Sequence, residues 1–251
     1  MQDIEIQMVS LNDLSRLKVE ILLDESLDGA HKFMDDYTLC LFDISEYKID
    51  NIRTILIQEN GVMYYSHRTT NLLLEDYSDS WNHVHERTRL AAAVLGYHQK
   101  IPYVIGERCI IPLDGYTKKP TTWIVANHVV RMSHCGLDNI LHLTSRKSIV
   151  LSISMARTGF EDQILRAVHI LKFKLALHYG QMKEYKYAYR SPHFRPMSIL
   201  TAPFEQSSYE SPQMTYHEAE MKVRDYLEKK RVKKALGEDN PYYDDYLERF
   251  K

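Results

Sequence analysis

Three sets of residues could carry chemistry. His83 and His85 are two apart, a spacing that puts both rings on one side of a strand. His128, His134, Cys135 and His142 lie close together in sequence. Zinc takes four nitrogen or sulfur ligands in a closed tetrahedron. No Cys-x-x-Cys, helical histidine pair or acidic ligand set accompanies these residues, so solvated or core histidines are expected, with no metal and no other cofactor. Nucleophilic catalysis lacks a Gly-x-Ser-x-Gly elbow, and neighbouring His134 and Cys135 would point to opposite faces of a strand. No glycine-rich phosphate loop occurs either. An enzyme is not expected.

The third set is cationic. Arg87 and Arg89 flank Thr88 at the end of the polar stretch Asp76–Arg87, read as a loop. Lys118 and Lys119 precede a long strand candidate, and Arg146 and Lys147 sit at a hairpin tip. Arg166, Lys172 and Lys174 ride a helix. Residues Tyr185 to Arg190 interleave cations with rings, and His193, Phe194 and Arg195 follow. Cation pairs on several loops of one sheet can reach successive phosphates, and rings can stack on bases. The bland alternative is that these cations are solvated and the rings pack on the body.

Charge distribution supports the cationic reading. The 251 residues carry 32 Lys+Arg against 34 Asp+Glu, a net charge of −2. That balance hides an asymmetry. Residues 1–50 hold 12 acidic and 4 basic side chains, whereas residues 86–200 hold 7 acidic and 17 basic. The stretch 222–234 has 7 basic against 2 acidic. A middle with this excess attracts polyanions, unless the acidic N-terminus folds over it. No run of about 18 apolar residues exists, and the first twenty residues carry four acids, so neither a membrane span nor a signal peptide is expected. Three scattered cysteines do not make a disulfide frame, and a reduced, cytoplasmic protein is expected.

Hydrophobic periodicity indicates the elements that would position these groups. Residues 10–27 place Leu11, Leu14, Leu17, Ile21 and Leu22 near helical spacing. A polar linker, Asp24–Asp36, would follow. Then the period changes to two. Ile52–Gln58 and Val62–Ser66 flank Asn60 and Gly61, which suit a type I′ hairpin turn. Gly106 and Glu107 divide a second hairpin, and residues 145–147 a third. Thr121–Met132 reads as the longest strand. Capping boxes open two helices, at Thr158 with Glu161 and at Thr215 with Glu218. Gly180 would end the first, and Gly237 follows the second. Between them, residues 191–212 hold four of the eight prolines and read as irregular. The fold class is α+β: antiparallel hairpins in the middle, C-terminal helices packed on them, and an N-terminal helical extension. The expected divisions are an acidic extension over 1–36, a β-rich DNA-binding core with its closing helix over 37–180, and a Pro-rich segment, helix and tail over 181–251. Deleting residues 1–33 is expected to leave a folded protein.

Several stretches in order resemble the competence transcription factor family (ComK-like proteins). These are His85 to Gly96, Lys100 to Ile105 with its Lys-x-Pro, Cys109 to Leu113, Trp123 to Val129, and Ser152 to Gln163. Order and spacing agree over roughly residues 40–178. Two departures stand out: the acidic stretch 1–36, and Arg89-Leu-Ala-Ala where the family often has a glycine-containing turn. The resemblance implies a sequence-specific activator of genes for DNA uptake. It implies binding to paired A/T-rich boxes, largely from the minor groove, as dimers assembling to tetramers. It also implies removal through an adaptor and an ATP-dependent protease. A regulator of the same ancestry that binds proteins and has lost DNA binding is the alternative.

The expected DNA-binding residues are Arg87, Arg89, Lys100, Lys118, Lys119, Arg146, Lys147, Lys172, Lys174 and Arg190. Six of them (Arg87, Arg89, Lys118, Lys119, Arg146 and Lys147) are expected on one side of the sheet. About six phosphate contacts give a slope of log affinity against log salt near −5. Arg87 and Arg89 would enter a narrow A/T minor groove, which suits arginine better than the more strongly hydrated lysine.

Overall fold

Turn residues set where the chain reverses, and the computed structural model shows them doing so. It describes residues 8–11, 15–29, 33–80, 85–116, 119–135, 140–184, 198–206 and 221–228. The first half contains β1 (Met8–Ser10), α1 (Arg16–Asp24), β2 (Leu27–Asp28), β3 (Thr38–Asp43), β4 (Thr54–Gln58), β5 (Met63–Ser66), α2 (Thr70–Ser80) and α3 (His85–Val94). The second contains β6 (Tyr103–Ile105), β7 (Arg108–Pro112), β8 (Trp123–Val125), β9 (Val129–Cys135), β10 (Ile140–Ser145), β11 (Val150–Ser154), α4 (Arg157–Glu184) and α5 (Thr201–Gln206). The strands form a seven-stranded sheet, ordered β2-β5-β4-β3-β8-β7-β6, and a four-stranded sheet, ordered β1-β11-β10-β9. The class is α+β, as expected.

All three hairpins form, in antiparallel register. The first differs in its turn. Gly61 takes φ 85° while Asn60 does not have positive φ, and the Gly61 N–H bonds Gln58 O at 3.0 Å. A turn followed by one left-handed glycine closes the hairpin, rather than the doubly left-handed type I′.

The strand alternation sorts side chains onto two faces of the large sheet. Leu41, Leu56, Tyr103, Ile110, Trp123 and Val125 face one way and meet Leu73, Leu74 and Tyr77 of α2. Ile55, Ile57, Val104, Cys109, Ile111 and Ile124 face the other way, into a core shared with the small sheet and α4. α4 contributes Phe160, Ile164, Ala167, Val168 and Leu171 at helical spacing. At the sheet edge, Val104 O accepts hydrogen bonds from Thr88 Oγ1 of α3 and Lys174 Nζ of α4. The two helices thereby cover β6, an edge that would otherwise offer pairing groups to another chain.

Several expectations are overturned. The loop Asp76–Arg87 is largely helical, because Leu73, Leu74 and Tyr77 anchor α2 to the sheet despite its polar outer side. His85 likewise lies on a helix, so the strand reading of His83 and His85 does not hold there. The long strand Thr121–Met132 is interrupted by a 3-10 turn over Ala126–His128, and its halves belong to different sheets. The Asn127 amide explains the break. It accepts from Cys109 N at 2.8 Å and donates to Glu107 O at 2.9 Å, taking the place of backbone pairing so that the chain can leave the sheet.

The helix expected over 10–27 is shorter, starting where Ser15 caps Lys18 N. It buries Val19, with Leu22 and Leu23 beside the core, and exposes Leu17 and Ile21. α4 begins at Arg157, whose guanidinium pairs with Glu161 at 2.7 Å, so Thr158 is not its cap. The helix also runs through Gly180. Within the Pro-rich stretch, α5 admits Pro203 in its first turns. The second capping box at Thr215 and Glu218 and most of the tail lie outside the described residues, although 221–228 is helical.

The acidic N-terminal segment is woven into both sheets. β1 pairs parallel with β11, Met8 opposite Val150, and Leu11 N donates to Ser152 O at 2.7 Å. β2 pairs parallel with β5, Leu27 opposite Tyr64. Met34 is buried in the second core, and Asp36 pairs with Arg108 at 2.6 Å. Residues 24–36 are therefore more than a linker.

Candidate nucleic-acid interface

The described cations fall into three places. Lys100 and Lys119 lie at the end of the large sheet where β8 begins. Lys100 Nζ is 3.4 Å from Asp114 Oδ1. The Gly115 N–H holds the Asp114 carboxyl below the usual carboxylate range, and Lys100 and Lys119 add to this against a smaller effect of burial. A cleft of about 500 Å³ opens here, lined by Asp43, Glu46 and Asp114 as well as Lys119. These lysines therefore sit among acids. Arg89 is exposed on α3, and its charge opposes the burial that pushes the Tyr116 phenol up to about 12.

The second place is α4. Lys172 Nζ lies 5.0 Å from the centre of the Phe204 ring, and burial lowers its pKa. Lys174 is engaged with the carbonyl of Val104. Arg166 bonds Gln99 O and covers the Tyr97 ring. All three cations are used in packing.

The third place is the small sheet. Arg146 and Lys147 are exposed at the β10–β11 tip. Arg131, also exposed, stands opposite Thr144 on the neighbouring strand. The sheet registers align Ser133, His142, Ser152 and Ser10 in one row across all four strands, and His142 Nδ1 lies 2.7 Å from Ser152 Oγ. The opposite face carries Val9, Leu141, Leu143 and Leu151 into the core. Residues 129–135 and 140–154 contain no Asp or Glu. Among the described residues, the strands and β10–β11 tip of the small sheet thus hold serines, an imidazole and three cations, and none of these residues is an Asp or Glu; Asp138, between β9 and β10, lies outside the described residues.

Of the six cations expected on one side of one sheet, the four that are described are thus not together. Arg89 and Lys119 belong to the large sheet and its helices, as does Lys100. Arg146 is tied by its N–H to His128 O, 3.1 Å away, beyond the other end of β8. The side chain of Arg87 and residues Lys118 and Arg190 lie outside the described residues, as does the stretch Tyr185–Arg195. Sequence reasoning left out Arg131. Its signal was that the stretch 115–160 around it holds a single acid, Asp138.

His169 gives the α4 surface a pH dependence. Its Nδ1 is 2.6 Å from Tyr97 Oη, and burial, reinforced by Lys172, lowers its pKa below 6.5. Folding therefore favours the neutral ring. That contribution is complete above the unfolded value near 6.5 and is lost as pH falls through the folded value. His169→Gln should flatten the fall in melting temperature between neutral and mildly acidic pH. An unchanged acid limb would show that His169 does not govern it.

Among the described residues, no three His, Cys, Asp or Glu side chains are grouped to hold a metal, and no helix is long and apolar enough to cross a membrane. The class this defines is a two-sheet α+β protein with a long helix against the large sheet and a small sheet whose described strands carry cations and no acids. Residues 33–177, more than half of the chain, match the family model described as ComK protein, and the chain belongs to the ComK family. That is a family of competence-related transcription factors rather than of enzymes. Neither a curated protein nor a solved structure matches the chain.

Proposed function

We propose that the protein is a sequence-specific DNA-binding activator of competence genes, holding A/T-rich duplex with Arg131, Arg146 and Lys147 of the small sheet. The observation that carries this is the acid-free sheet face beside those three cations. Hydroxyls and lysine serve the phosphates, which fix position without reading sequence. Arg146 on a narrow hairpin tip suits the minor groove, where width and the A·T-versus-G·C pattern are read and arginine is favoured over lysine. The reading extends to a cytoplasmic homodimer or tetramer on paired boxes, removed through a protease adaptor, as the family resemblance implies.

One observation favours the alternative, a protein-binding regulator without DNA binding. Leu17 and Ile21, one turn apart on α1, are 66% and 50% exposed with Glu20 and Asp24 nearby. A gel shift on A/T-rich and G/C-rich duplexes at two salt concentrations separates the readings. DNA binding predicts tighter, salt-sensitive binding to the A/T-rich duplex, blocked by a minor-groove drug. No salt-sensitive binding to either duplex leaves the protein-binding regulator.

A further inference from the structure

The chain changes sheets at Ala126–His128, and every residue of this turn is tied down. Ser198 Oγ donates to Ala126 O, the Asn127 amide bridges Glu107 O and Cys109 N, and Ile199 N donates to Val129 O just beyond. His128 makes two connections. Its carbonyl accepts from Arg146 N at the cationic hairpin tip, and its ring Nδ1 lies 2.8 Å from Oε2 of Glu59. Glu59 belongs to the β4–β5 turn of the large sheet and is held there by its own N–H on Tyr37 O. Both members of the pair are buried, at 5% and 6% exposure, so neither can touch a duplex.

Burying an acid and an imidazole carries a desolvation cost that a well-packed apolar pair would avoid. What the short contact adds is a fixed separation between the β4–β5 turn of the large sheet and the turn at which the chain leaves it. The place where it acts is the junction that sets one sheet against the other. The tip is also offset from its strand, since the β9–β10 register shifts between Thr144 and Ser145. A bulge of this kind re-aims the residues beyond it.

We propose that Glu59 and His128 are positioning residues, a buried clasp that fixes the Arg146–Lys147 tip relative to the large sheet. As a consequence for DNA, which rests on the function proposed above, the clasp sets whether both cations reach phosphates together.

The test uses the full chain and two readouts. The first, independent of DNA, is trypsin cleavage after Arg146 and Lys147, mapped by mass spectrometry well below the melting temperature. A held hairpin is cut only through local opening, so cleavage reports the tip's freedom. Glu59→Gln should speed cleavage there about tenfold relative to cuts elsewhere. The second readout is the salt slope on A/T-rich duplex, which should become shallower by about 2, matching Arg146→Ala/Lys147→Ala, because two phosphates are no longer neutralised. A general loss of stability would not change the slope of the folded protein. If Glu59→Gln melts too low, Glu59→Asp keeps the carboxyl, draws it back by one methylene, and serves the same comparison. Unchanged tip cleavage in a folded variant overturns the clasp whatever the DNA result. Faster cleavage in a protein that ignores DNA upholds the clasp and removes the DNA reading. Faster cleavage with an unchanged slope overturns the link between clasp and DNA.

Discussion

Replacing Arg131, Arg146 and Lys147 together by alanine is expected to weaken binding to A/T-rich duplex about 100-fold at physiological salt. Each phosphate contact releases counterions and adds about −0.9 to the slope of log affinity against log salt. Leaving three phosphates without a cation at about 0.15 M salt therefore amounts to roughly two powers of ten, and the slope should become shallower by nearly 3. Sequence alone led to about six phosphate contacts and a slope near −5, but the structure divides the four described cations of that set between surfaces. Lys100→Ala/Lys119→Ala supplies the contrast. Asp114 sits between these lysines and Asp43 and Glu46 line the same cleft, so less than about a threefold loss is expected. Titrations at several salt concentrations with all three proteins decide the matter. A larger loss for the Lys100/Lys119 variant than for the small-sheet variant would move the interface to the end of the large sheet.

Deleting residues 1–33 should unfold the protein or bring it close to unfolding, contrary to the expectation from the acidic composition. Val9 and Val19 are buried, and burying a side chain of that size contributes about 1.5–3 kcal/mol. Their removal, with the packing of Leu22 and Leu23, costs roughly 5 kcal/mol, comparable to the whole stability of many domains. Loss of β1 also bares one side of β11. Urea unfolding of the truncated chain should show a much lower midpoint or no cooperative transition. A midpoint close to that of the full chain would show that β1, α1 and β2 are an appendage after all.

What was legible follows from how far each signal reaches along the chain. The three hairpins were readable because alternation and turn residues are local properties, and the mixed class followed from them. β1 and β2 were invisible for the opposite reason. They are three and two residues long, and their parallel partners lie far along the chain. The break in Thr121–Met132 was hidden because strand-forming residues flank it closely on both sides, Ile124 and Val125 before it and Val129 and Val130 after it. Only the Asn127 hydrogen bonds reveal it.

At the candidate site, the cation pairs were visible as residues but not as neighbours. Lys119 and Lys147 look alike in sequence, yet one lies beside Asp114 and the other on a sheet without carboxylates. Lys174 looked like a phosphate ligand and instead covers a strand edge. The scarcity of acids around the third hairpin, where residues 115–160 hold only Asp138, was the one readable clue to which cations share a surface.

The parallel pairing of β1 with β11 has a consequence for how the protein is made. Met8 leaves the ribosome long before Val150, the residue it will lie beside. The small sheet therefore cannot close during most of synthesis, and Val9, Leu11 and Val19 must wait without their partners. Contacts between such distant residues pay the loop entropy before any burial repays it, which slows folding. The large sheet, whose β3, β4 and β5 are close in sequence, can form first and provide a surface. Closing the N-terminal strand onto β11 is then the late step, and until it occurs the nascent chain exposes an unpaired strand edge of the kind that chaperones bind.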